Sequence, residues 1–118
     1  MKKLLPLLFI SLILYWNCEE EPEPDTTPPT VSISFPINNS TVSEMVTITA
    51  ISSDNEGVEK VELYVNGIPT GLTEDSEPYS FNWNTTVVDN GSYNITVRSF
   101  DTSDNTTDSE PIVLTVDN

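Results

Sequence analysis

Val61-Glu62-Leu63-Tyr64-Val65-Asn66-Gly67-Ile68-Pro69-Thr70-Gly71-Leu72 decides the fold of this chain. Val61, Leu63 and Val65 alternate with Glu62 and Tyr64. That two-residue period belongs to a strand with one buried face. Asn66-Gly67 accepts the left-handed backbone of a two-residue hairpin turn, so a second strand over residues 68–72 is expected. Pro69 has no N–H to give to a ladder and marks that strand as a sheet edge.

Working outward, the same period recurs on both sides. Val31, Ile33 and Phe35 alternate with serines, and Val46, Ile48 and Ala50 with threonines. Downstream, Tyr79, Phe81 and Trp83 alternate with Ser80 and Asn82, then Tyr93, Ile95 and Val97 with Asn94 and Thr96. Ile112, Leu114 and Val116 close the series. Residues 30–118 show no helical periodicity. Seven short strands separated by turn residues predict an all-β, seven-stranded sandwich. The chain of 118 residues has a single cysteine, Cys18, so no intrachain disulfide can form. The sandwich must hold by its core, and about 90 residues bury enough apolar surface for that with a modest margin.

Asp89-Asn90-Gly91-Ser92-Tyr93-Asn94-Ile95 resembles the start of the sixth strand of immunoglobulin domains. There a tyrosine stands two residues before the second cysteine, and its hydroxyl bonds back to the upstream backbone. By this resemblance Tyr93 takes that structural role and Ile95 the cysteine position. Trp83 falls on the fifth expected strand, not the third, which separates the chain from antibody domains. Residues 25–118 instead resemble the bacterial immunoglobulin-like domains of cell-surface proteins. The segments that carry the likeness are DTTPPT (25–30), SDNEGVEKVELYVNG (53–67), PYSFNWNTT (78–86) and residues 90–105. The resemblance implies adhesion, spacing or accessory binding, and no catalysis.

The N-terminus reads as an address. Lys2 and Lys3 precede an apolar run from Leu4 to Leu14. A membrane-spanning helix needs about 20 apolar residues, so this run is too short to span and suits a secretory signal. Followed by Cys18 and a polar linker, it resembles a bacterial lipoprotein signal. The resemblance implies that residues 1–17 are removed and that the Cys18 thiol carries a diacylglyceride anchoring the protein in the envelope membrane. Residues 18–29 then form a tether rich in Glu and Pro, in which charge repulsion and proline oppose helix and favour a disordered or extended chain. At about 3.1 Å per residue it would hold the domain roughly 35 Å from the lipid. The acidic run after Cys18 also resembles surface-export signals of some Gram-negative lipoproteins. The expected location is therefore the outer membrane or cell surface. The expected organisation is signal 1–17, tether 18–29 and domain 30–118.

Without residues 1–17, two basic residues, Lys60 and Arg98, remain against 19 acidic ones, a formal charge of −17. Nucleic-acid binding depends on Lys and Arg neutralising phosphates, so that class of partner is excluded. The chain has no histidine, and nucleophile–base pairs are correspondingly scarce. No enzyme activity or required cofactor is expected, and the domain is expected to be monomeric. The remaining chemical candidate is calcium. In an immunoglobulin topology the start of the chain, the loop after the second strand and the loop before the last strand share one end. Asp54, Asp101 and Asp104 lie in those loops, with Asn55, Glu56, Asn105 and Asp108 nearby. Hard oxygen ligands converging there suit Ca²⁺, while turn formation explains the same Asp and Asn residues without a metal. A polysaccharide or protein partner is the alternative to a purely structural module. Tyr79, Phe81 and Trp83 pointing inward would favour the structural module, and an exposed aromatic row would favour binding.

Overall fold

The computed structural model describes residues 23–118; the signal and Cys18 lie outside the described residues. The seven apolar runs each form a strand, and two short strands join them. The order is β1 (Thr30–Phe35), β2 (Ser40–Val42), β3 (Met45–Ser53), β4 (Val58–Val65), β5 (Ile68–Glu74), β6 (Tyr79–Asn84), β7 (Gly91–Asp101), β8 (Thr106–Asp108) and β9 (Ile112–Val116). They build two sheets, β1-β3-β6 and β2-β9-β7-β4-β5, with β8 also paired to β7.

The count exceeds the expected seven for two local reasons. The first run breaks at Pro36, and the chain then crosses to the other sheet, where β2 pairs parallel with β9. The approach to β9 first pairs with β7 through polar β8, with Arg98 opposite Asp108. Neither short strand carries an apolar alternation that the sequence could display.

Asn66 and Gly67 have φ of 53° and 79°, the left-handed pair that closes the β4–β5 hairpin with Val65 opposite Ile68. β5 lies at the edge of its sheet, as Pro69 requires. The core comes from β3, β4, β6, β7 and β9, with Val31 and Ile33 of β1 packed at its margin and Phe35 turned outward after the register shift that follows Ile33: Val46, Ile48 and Ala50 of β3 meet Tyr79, Phe81 and Trp83 of β6. Val61, Leu63, Ile95, Val97, Leu114 and Val116 fill it from the opposite sheet. Apolar burial of this kind contributes roughly 25 cal/mol per Å² and is what holds a sandwich without a disulfide. Where polar groups enter the core they are paired. Ser52 Oγ lies 2.6 Å from Ser99 Oγ and donates to Thr30 O at 2.7 Å. Ser109 exchanges two bonds with the backbone of Val97.

Candidate cation site where the tether meets the sandwich

The β3–β4 loop, the β7–β8 turn and the segment leading to β1 converge at one end of the sandwich. Each brings one aspartate. Single carboxylate oxygens of Asp25, Asp54 and Asp101 all lie within 4.8 Å of one another. Two oxygens bound to one Ca²⁺ at about 2.4 Å can be no more than about 4.8 Å apart, so the spacing suits a shared ion.

Local hydrogen bonds set each carboxylate. Asp101 closes the β7–β8 turn: its Oδ1 accepts from Ser103 N and Asn105 N, each at 2.8 Å, and its Oδ2 from Asn105 Nδ2 at 2.9 Å. Its side chain is fully buried. Burial pushes its carboxyl up, but the Asn105 and Ser103 donors outweigh burial and hold it below the ordinary carboxylate range. Asp54 Oδ2 accepts from Glu56 N at 2.9 Å, an Asx turn. Asp25 Oδ1 accepts from Thr27 N at 3.0 Å and Asn55 Nδ2 at 3.2 Å. Asn105 Nδ2 also donates to Asp25 O at 2.9 Å, tying the start of the chain to the turn.

Two oxygens are left over. Asp25 Oδ2 and Asp54 Oδ1 are buried and have no hydrogen-bond partner. A buried acceptor without a donor is costly, and like charges this close repel. Among the described residues no basic side chain relieves them. Lys60 is held by Glu62 at 3.2 Å and Arg98 by Asp108 at 2.6 Å, both on the outward face of the β2-β9-β7-β4-β5 sheet. A divalent cation satisfies orphaned oxygens and repulsion together.

Of the calcium candidates read from the sequence, Asp54 and Asp101 come together here. Asp104 does not join them; it is exposed on the turn with φ of 69°. Asp25 takes the third position. Its sequence signal is the Asp-Thr-Thr-Pro-Pro run just before β1, a Pro-rich stretch that displays tether chemistry and no ligand spacing. Tyr93 Oη donates to Asp89 O at 2.5 Å, and the Trp83 ring meets Tyr93 edge-on at 5.6 Å. Tyr64 is half-buried under Arg98, whose guanidinium carbon sits 4.8 Å from its ring centre.

A family model for the bacterial Ig domain matches residues 29–97. The chain belongs to the bacterial Ig domain family. Asp54 lies inside the matched stretch of this bacterial Ig domain, and Asp25 and Asp101 lie outside it. Domains of this family usually occur in cell-surface or exported bacterial proteins. Among solved structures, the domain is similar to the fibronectin(III)-like modules of CbhA from Clostridium thermocellum. The TM-score is 0.67 at 19% identity, over 74% of this chain and 94% of that one. It is also similar to part of the endo-beta-1,4-mannanase from Thermotoga petrophila. There the TM-score is 0.60 at 20% identity, over 80% of this chain and 21% of that one. This chain thus spans about a fifth of the mannanase chain, and at these identities both likenesses are of fold alone. No curated protein matches the chain.

Proposed function

We propose that the chain is a non-enzymatic, lipid-anchored envelope protein that displays one bacterial Ig domain as a structural, spacer or adhesion unit. The observation that carries this reading is the direction of the β6 aromatics. Tyr79, Phe81 and Trp83 are 5%, 2% and 6% exposed, so they build the core and leave no aromatic row on the sheet for a ligand. Tyr64 is likewise a packing partner of Arg98. Cys18 supplies the anchor, and residues 18–29 carry the domain away from the lipid. The test is incorporation of a labelled fatty acid in a bacterial host. Label in the wild type and none in Cys18→Ala supports the anchor; label in both, or in neither, contradicts it.

A second element of the proposal is calcium at Asp25, Asp54 and Asp101. It is supported by the two orphaned oxygens and by the chemistry of an all-carboxylate site, which suits a hard cation. A proton shared between neighbouring carboxylates would relieve the same repulsion, and thermal melting separates the two. Calcium that binds only the folded state raises Tm with concentration. The expected result is a rise in Tm with millimolar CaCl₂ that exceeds the effect of NaCl at equal ionic strength and is reversed by chelator. Equal effects of the two salts would remove calcium from the account.

A further inference from the structure

The three carboxylates of the candidate cation site are not equals. Asp54 and Asp101 belong to the sandwich, and donors close to them in sequence hold each: Glu56 N for Asp54, Ser103 N and Asn105 N for Asp101. Asp25 stands five residues before β1, in the stretch the sequence reads as tether. Two amide donors from distant loops bring it to the sandwich, Asn105 Nδ2 to Asp25 O at 2.9 Å and Asn55 Nδ2 to Asp25 Oδ1 at 3.2 Å. Between Asp25 and buried Pro29 the chain is exposed at Thr26, Thr27 and Pro28. Residues 25–29 thus form a strap, fixed at both ends and open to solvent between them.

The strap is held weakly and pushed hard. Two neutral donors hold Asp25 down, while the charges of Asp54 and Asp101, with oxygens within 4.8 Å of its own, push it away. Asp25 Oδ2 and Asp54 Oδ1 are buried there without a donor, which adds a desolvation cost to the repulsion. Asp54 and Asp101 keep their turn bonds whether or not Asp25 is present, so release of the strap is the relief open to the cluster. Pro28 and Pro29 restrict the released chain, which lowers the entropy lost when the strap closes again.

We propose that residues 25–29 are a calcium latch: an ion shared by Asp25, Asp54 and Asp101 closes the strap onto the sandwich, and loss of the ion releases it. The latch rests on the calcium site proposed above and gives that ion a task. Closed, the tether leaves the domain at Asp25, and the module keeps one direction relative to the chain that carries it. Open, the tether leaves at Thr30. The freed residues then add roughly 15 Å of reach, at about 3.1 Å each, and the fixed direction is lost. The ion thereby regulates how far and at what angle the module stands out, without touching the core.

The test uses the full chain purified from its bacterial host. Thr26→Cys places a nitroxide on the exposed part of the strap, and wild type is the baseline for any label at Cys18. Motion of a released strap begins in the nanosecond range that a nitroxide line shape reads. Spectra and melting curves are taken in chelator, in millimolar CaCl₂ and in NaCl of equal ionic strength. The expected result is a label several-fold slower in calcium than in the other two buffers, together with a rise in Tm. Adding Asp25→Asn removes both a ligand and the repulsion, and should abolish the calcium response of the label. A Tm that rises in calcium while the label is unmoved overturns the latch and leaves the calcium site standing. No response of either overturns both. A calcium response of the label that persists with Asp25→Asn also overturns the latch.

Discussion

Tyr93 joins two constraints at one residue. Its ring packs edge-on against Trp83 and its hydroxyl ties the loop before β7 through Asp89 O. Tyr93→Phe keeps the first and removes the second. It is expected to cost about 1 kcal/mol by urea denaturation, the usual net worth of one such bond, with the Trp83 emission of the folded state unchanged. Asp101 carries a different kind of dependence. Asp101→Ala removes the buried acceptor of three donors from Ser103 and Asn105 that hold the turn, and Tm should fall by several degrees. Asp104→Asn, on an exposed side chain, should leave Tm unchanged. The sign is more telling at Asp54. Asp54→Asn removes one of three crowded carboxylates, so in chelator it should melt no lower than wild type. In millimolar calcium it should melt below it. A lower Tm for Asp54→Asn in both buffers would show that the carboxylate serves the turn alone.

At the scale of the element, alternation made the seven long strands legible. Val46, Ile48 and Ala50 show their inward face in the sequence because nothing but burial explains the pattern. β2 and β8 were not legible. Each is three residues long; β2 exists because distant β9 offers unpaired backbone groups, and β8 because the turn after Asp101 folds its polar residues back onto β7. The candidate cation site was half legible. Asp54 and Asp101 sit in loops that the topology brings together, whereas Asp25 reaches them only through a fold-back held by Asn55 and Asn105. β7 and β8 also share an ion pair with a defined pH response. The Arg98 guanidinium hydrogen bond is the main cause that holds the Asp108 carboxyl below its ordinary value, with burial opposing it. A lowered folded value contributes stability that is present above the unfolded carboxylate range, near 3.9. That stability is lost as pH falls through the folded value. The pair is substantially exposed, so solvent screening limits it to at most about 1 kcal/mol. Asp108→Asn should therefore melt slightly below wild type at pH 7, and the gap should close in acid. A gap of constant size across the acid range would contradict the pairing.

The whole molecule is dominated by its charge. Residues 30–118 hold 14 acidic and two basic residues, and those twelve net negative charges on a small domain oppose compaction, while among the described residues the specific attractions that salt could weaken are the Lys60–Glu62 and Arg98–Asp108 pairs. Screening the repulsion outweighs weakening two pairs. Raising NaCl from ~10 mM to ~150 mM, which shortens the Debye length from about 30 Å to about 8 Å, should raise Tm in chelator; a fall would mean that ion pairs matter more than repulsion. The same charge keeps the exterior hydrated and separates the domain from anionic surfaces, which suits the proposed module held away from lipid by an acidic tether. The central claim, a lipid-anchored module displayed outside the cell, is tested most directly by protease added to intact cells producing the wild type and Cys18→Ala. The account predicts that protease removes the wild-type domain from intact cells and that the variant is released or left unprocessed. A wild-type domain protected until the envelope is broken would contradict surface display and place the module in the periplasm.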